Sequence, residues 1–116
     1  MHEPAPVFAM RPEMRLLVLI ARTEDTFEPV LTALIDAGIA GATVIESRGL
    51  GAVIRSELPI FTGLAALLPP DTGGRVLISI TSQASIDTLL RHLLTLPVDA
   101  RPVGAVLPLQ GVIGLG

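Results

Sequence analysis

The chain alternates between two rhythms of apolar and polar positions. Arg15 to Ala21 reads RLLVLIA, a continuous apolar run that suits a strand covered on both faces. A helix-start cluster follows at Thr23-Glu24-Asp25-Thr26. Asp25 with Glu28 three residues on predicts a capping box, with Asp in place of Ser or Thr. Pro29 then falls near the first turn, where amides have no intrahelical acceptor to lose. Phe27, Val30, Leu31, Leu34 and Ile35 share one face of the predicted helix, and Glu28, Thr32 and Asp36 the other. Gly38 sits where a left-handed C′ residue would end it.

Ala42 to Arg48, ATVIESR, predicts a second strand because β-branched residues fit a pleated surface. Gly49-Leu50-Gly51 leaves it into a stretch of mixed character up to Pro59, predicted to be a loop. Ile60 to Leu68 is apolar and predicted to be extended, and 69–74, PPDTGG, is a turn. Arg75 to Thr81, RVLISIT, is the third strand. Ser82 is a good N-cap for a second helix, with Ile86, Leu89, Leu90 and Leu93 on its apolar face. Asp87 and Arg91 stand at i,i+4 on its outer face. Pro97 ends that helix, 97–104 is a loop, and Ala105 to Leu115 is a last strand. Pro108 and Gly111 mark this strand as an edge or bulged one.

The segments 15–20 and 75–80, RLLVLI and RVLISI, resemble each other, and each precedes a capped amphipathic helix and another strand. The order β-α-β, β-α-β is the split βαβ arrangement. The fold class that follows is α+β, ferredoxin-like βαββαβ, an antiparallel sheet with two helices on one face. Residues 1–13, with Pro4, Pro6 and Pro12, read as a flexible extension, and residues 14–116 as the domain.

Composition sharpens this picture. Half of the 116 residues are hydrophobic and 16% are charged, a large apolar load for a chain of this size. The longest stretch free of Asp, Glu, Lys and Arg, 102–116, is too short for a membrane span and is broken by Pro and Gly. Association with further copies is therefore the expected outlet, since obligate interfaces resemble a core cut in half. A net charge of −3 and only three aromatic residues exclude a basic or base-stacking nucleic-acid binder. No Cys is present, so thiolate metal sites and cysteine nucleophiles are absent. A secretory signal pattern is not seen in 1–13, and a cytoplasmic location is expected.

Nothing in the sequence assembles a catalytic site. His2 and His92 are the two histidines, too few and too far apart to hold a metal. Ser85, His92 and Asp99 can be combined only on paper, since no nucleophile elbow surrounds any Ser. Glu24 and Asp25 are helix-start charges. Gly49-x-Gly51 is a phosphate-loop fragment without the capped helix that such a loop needs. The chain is expected not to be an enzyme.

The run 37–51, AGIAGATVIESRGLG, resembles the PII family of signalling proteins, in which the first helix ends in a Gly-Ile-x-Gly-x-Thr-Val turn and the second strand leaves through a basic residue and Gly-aromatic-Gly. Leu50 stands where the family has the aromatic. The order of elements matches from Met14 to Leu115. The resemblance implies a homotrimer with an effector, ADP, ATP or another small molecule, held between subunits. Thr43, Gly49, Leu50 and Gly51 match the family's site near the second strand, and Arg101 is the cation that remains for the phosphate half. The family's Gly-Asp-Gly-Lys loop and paired terminal arginines have no counterpart here. The resemblance also implies that the segment after the second strand, with Arg48, Arg55 and Glu57, contacts a target such as a membrane transporter or metabolic enzyme. The modifiable Tyr of the family's loop is absent, since the chain has no Tyr. The alternative is a trimeric structural or interaction module of the CutA type that senses nothing.

Overall fold

The computed structural model describes residues 7–57, 60, 63 and 74–115. The elements are β1 (Phe8–Ala9), β2 (Met14–Ala21), α1 (Glu24–Asp36), β3 (Thr43–Ser47), α2 (Leu50–Glu57), β4 (Gly74–Ser82), α3 (Gln83–Leu93), a 3-10 turn (Val98–Ala100), β5 (Val103–Pro108) and β6 (Val112–Ile113). Four strands form one antiparallel sheet in the order β3-β4-β2-β5, and β1 pairs with β6 in a separate ribbon. The crossed order, with both βαβ units sharing one sheet and both helices on one face, is the ferredoxin-like α+β fold expected from the sequence.

Alternation along the central strands selects the covered face. Leu17 and Leu19 of β2 and Leu77 of β4 are buried with Val30, Ala33 and Leu34 of α1 and Ile86, Leu89 and Leu93 of α3. Each fully buried Leu, Ile or Val contributes about 1.5–3 kcal/mol relative to exposure. The opposite face of the sheet is also apolar. Val18 and Ile20 lie beside Ile78 and Val76 across one ladder and beside Ala105 and Val103 across the other. No described helix covers them, and Val103 and Leu107 on this face are 43% and 41% exposed.

The start of α1 differs from the sequence expectation. Thr23, extended at φ −135°, is the N-cap, and its amide donates to the Thr26 hydroxyl at 3.3 Å. Asp25 and Glu28 do not form the box, because the chain turns helical two residues sooner. Pro29 therefore lies inside the helix and removes an interior backbone bond. The other end is as expected. Gly38, at φ +78°, lets Ile39 N–H reach Leu34 O at 2.9 Å and Gly38 N–H reach Ile35 O at 3.0 Å, the paired bonds of a Schellman ending. Ser82 caps α3 by accepting from Ser85 N–H at 3.1 Å. Asp87 and Arg91 do not pair with each other: Gln83 donates to Asp87, and Arg91 donates to Thr88.

Four further expectations change. The segment after β3 is a helix, α2, from Leu50 to Glu57 and not a loop. The last strand is two: β5 ends at Pro108, and after Gly111 the chain joins β1 as β6. From Val7 onward the segment expected to be loose is hydrogen-bonded, with Gly114 N–H donating to Val7 O at 3.0 Å. Of the apolar run 60–68 and the turn 69–74, only Ile60, Gly63 and Gly74 are described. Ile60 and Gly63 are helical rather than extended, and Gly74 opens β4.

Candidate functional site

The run 43–51 builds the outgoing corner of the sheet. β3 is an edge strand, paired only with β4 among the described strands, with Thr43 opposite Ile78 and Ser47 opposite Gly74. Thr43 thus lies on the helix-free face, and it is exposed. Gly49 accepts from Val53 N–H at 3.1 Å, which draws the chain directly from strand into α2. Leu50 and Gly51 are the first residues of that helix, and the Leu50 side chain is exposed. Gly49-x-Gly51 therefore does lead into a helix, contrary to the expectation from sequence, although no side-chain cap precedes it. Arg48 pairs with Glu57 at 2.7 Å and also donates to the Ser56 hydroxyl. The Arg55 side chain lies outside the described set.

Arg101 stands at the other edge. It follows the 3-10 turn and enters β5, and its guanidinium donates to Leu96 O and Leu94 O, each at 3.1 Å. Leu94 is the C-cap of α3 and Leu96 lies two residues beyond it, so the guanidinium stands at a helix C-terminus, where a cation is favoured by the dipole. Within one copy, β3 and β5 are separated by β4 and β2, three strand spacings or about 14 Å. Register places Gly49–Gly51 and Arg101 at the same end of the sheet, because Ser47 faces Gly74 and Ile20 faces both Val76 and Val103, whereas Thr43, opposite Ile78, lies at the other end of β3. One copy alone does not bring Thr43 and Gly49–Gly51 onto Arg101.

Two features were not singled out from sequence. Arg75 on β4 lies over the Phe27 ring at 5.2 Å, pairs with Glu24, and has Glu46 at 3.9 Å. Strand alternation with Leu77 and Ser79 was the signal that put Arg75 on the helix side. An open groove of about 580 Å³ runs beside α1, lined by Glu24, Asp25, Glu28, Pro29, Thr32 and Leu96. Its acidic wall disfavours phosphate. Ser85 and His92 sit seven residues apart on α3, about 10 Å of helical rise, so they do not form a relay with Asp99. Among the described residues, no group of three or more His, Asp or Glu is placed to hold a metal ion, and no helix is long and apolar enough to cross a membrane.

No family model matches the chain, and no curated protein sequence matches it. Solved structures do. PII from Arabidopsis thaliana bound to citrate superposes with a TM-score of 0.53 at 20% identity, over 89% of this chain and 83% of that one. CutA from Synechococcus elongatus superposes with a TM-score of 0.54 at 21% identity, over 91% of this chain and 85% of that one. At these identities the shared property is the fold: the chain is a PII-like and CutA-like α+β module.

Proposed function

We propose that this chain is a PII-like regulatory subunit that works as a homotrimer. In this reading it holds a small anionic effector, such as an adenine nucleotide, between copies, and reports it to a target protein through the β3–α2 corner. The observation that carries the proposal is the separation of the two half-sites. Thr43 and Gly49–Gly51 occupy one sheet edge and Arg101 the other, with Gly49–Gly51 and Arg101 at the same end, so a neighbouring copy is what would complete a cleft. The apolar sheet face that no described helix covers supports association for a separate reason. Burying half-exposed Val and Leu yields about 25 cal/mol for each Å² removed from water.

The test is calorimetric titration of the purified protein with ATP, ADP, AMP, bicarbonate and citrate, alongside sedimentation. Saturable binding by a trimer supports the proposal, and a trimer that binds none of them removes effector sensing. One observation favours the second reading, a CutA-like module without sensing: Arg101 already serves the carbonyls of Leu94 and Leu96 at the C-terminus of α3. In that case pull-down partners would be unchanged by effectors.

A further inference from the structure

We propose that α2 is a charge-held latch: the Arg48–Glu57 pair keeps residues 50–57 helical, and loss of that pair opens the segment into an extended arm. Four observations lead to this. The helix has only eight residues, a length at which an isolated helix is marginal in water. Its sequence, LGAVIRSE, contains Gly51, Val53 and Ile54, all weak helix formers. Among its described side chains only Ile54 is buried. Finally, the two charges at its ends oppose the helix dipole: Arg48 precedes the N-terminus, where no acid stands in the first turn, and Glu57 closes the C-terminus.

Each charge alone would weaken the helix. Joined at 2.7 Å, and with Arg48 also donating to Ser56, they tie the residue before the helix to its last turn. The pair is at the surface, with side chains 48% and 61% exposed, so its strength depends on ionic strength. A weak, screenable contact holding a weak helix gives a two-state element whose balance a modest competing charge can tip. The latch concerns the corner through which the proposed target contact is made. Its regulatory meaning rests on that reading, but its existence does not.

The experiment is amide hydrogen exchange over residues 50–57, at about 20 mM and 500 mM NaCl. It uses the full-length protein, Glu57→Gln, Arg48→Gln, and the charge-exchanged double variant Arg48→Glu/Glu57→Arg. The single variants at low salt should exchange about two- to fivefold faster, the factor that an exposed pair of this kind supplies. Wild type should approach them at high salt. The double variant restores the pair and aligns it with the dipole, so its exchange should be as slow as wild type or slower. Exchange that is unprotected in wild type, indifferent to salt, or equally fast in the single and double variants overturns the latch. Effector titration by calorimetry tests the regulatory reading separately, and failure there leaves these exchange rates unaffected.

Discussion

Ser79 donates its buried hydroxyl to the carbonyl oxygen of Gly41 at 2.6 Å, and so ties the middle of β4 to the turn that delivers β3. Ser79 is the one buried polar residue in the described core, 5% exposed, and no buried side-chain polar atom there is left without a partner. Ser79→Ala removes the donor while the Gly41 carbonyl stays. Gly41 is exposed, so water can reach its carbonyl, and the expected cost is about 0.5–1.5 kcal/mol, read as a thermal midpoint lower by about 4–8 °C per kcal/mol. Exchange should rise most at β3, the strand that the bond positions.

The terminal ribbon depends on the absence of a side chain at Gly111. A Cβ there would meet the Phe8 ring, with Cε2 at 2.6 Å, and Ala9 O at 2.9 Å. Gly111→Ala should therefore open β1 from β6 while the four-stranded sheet persists. Loss of amide protection at Ala9 and Gly114, with retained far-ultraviolet dichroism, is the expected signature. In a Phe8→Ala background the same substitution should do less.

Acid should loosen that ribbon as well. Arg11 donates to Glu13 at 2.6 Å and holds the Glu13 carboxyl below its usual value of 4.5. A carboxylate whose folded pKa is depressed stabilises above its unfolded pKa, and the contribution is lost as pH falls through the folded value. Protection of the β1 amides should accordingly be flat above about pH 5 and decline below 4.5. Glu13→Gln should be insensitive over the same interval. The effect is small, because the pair is solvent-exposed.

Association through the helix-free face can be tested at Val18, half-buried in the middle of β2 and flanked by Ile78 and Ala105. Val18→Glu places a charge where an interface would be dry. The expected outcome is trimeric wild type and monomeric variant by sedimentation velocity, with similar helix content. A wild type that sediments as a monomer would sink the trimer.

Arg101 separates the two functional readings. Arg101→Ala frees the carbonyls of Leu94 and Leu96, at an expected cost of about 1–2 kcal/mol. If the guanidinium also faces an effector on a neighbouring copy, calorimetric affinity should fall about tenfold or more. Lost stability with unchanged affinity would favour the non-sensing module.

The strands and helices legible in the sequence were those whose information is local. RLLVLIA and RVLISIT are apolar runs, Gly38 supplies the left-handed residue that a Schellman ending needs, and Ser82 caps its own helix. Two such units in series were enough to imply the crossed sheet. The candidate positions Gly49–Gly51 were legible as a corner, because glycine spacing marks a change of direction.

What depended on distant partners was not legible. The sequence 50–57 has poor helix propensity, so its helix became visible only with Arg48 reaching Glu57 across it. Phe8 meets Gly111 about a hundred positions away, and nothing local in either segment announces the other. Arg101 looked like a cation waiting for phosphate until its guanidinium was placed on the end of α3. Sequence by itself determined the two central strands, the two long helices and their apolar faces, since backbone geometry and side-chain period act over a few residues. Tertiary structure decided which charges meet, which ends pair and which sheet face the described helices leave open, because those depend on contacts between residues that only folding brings together.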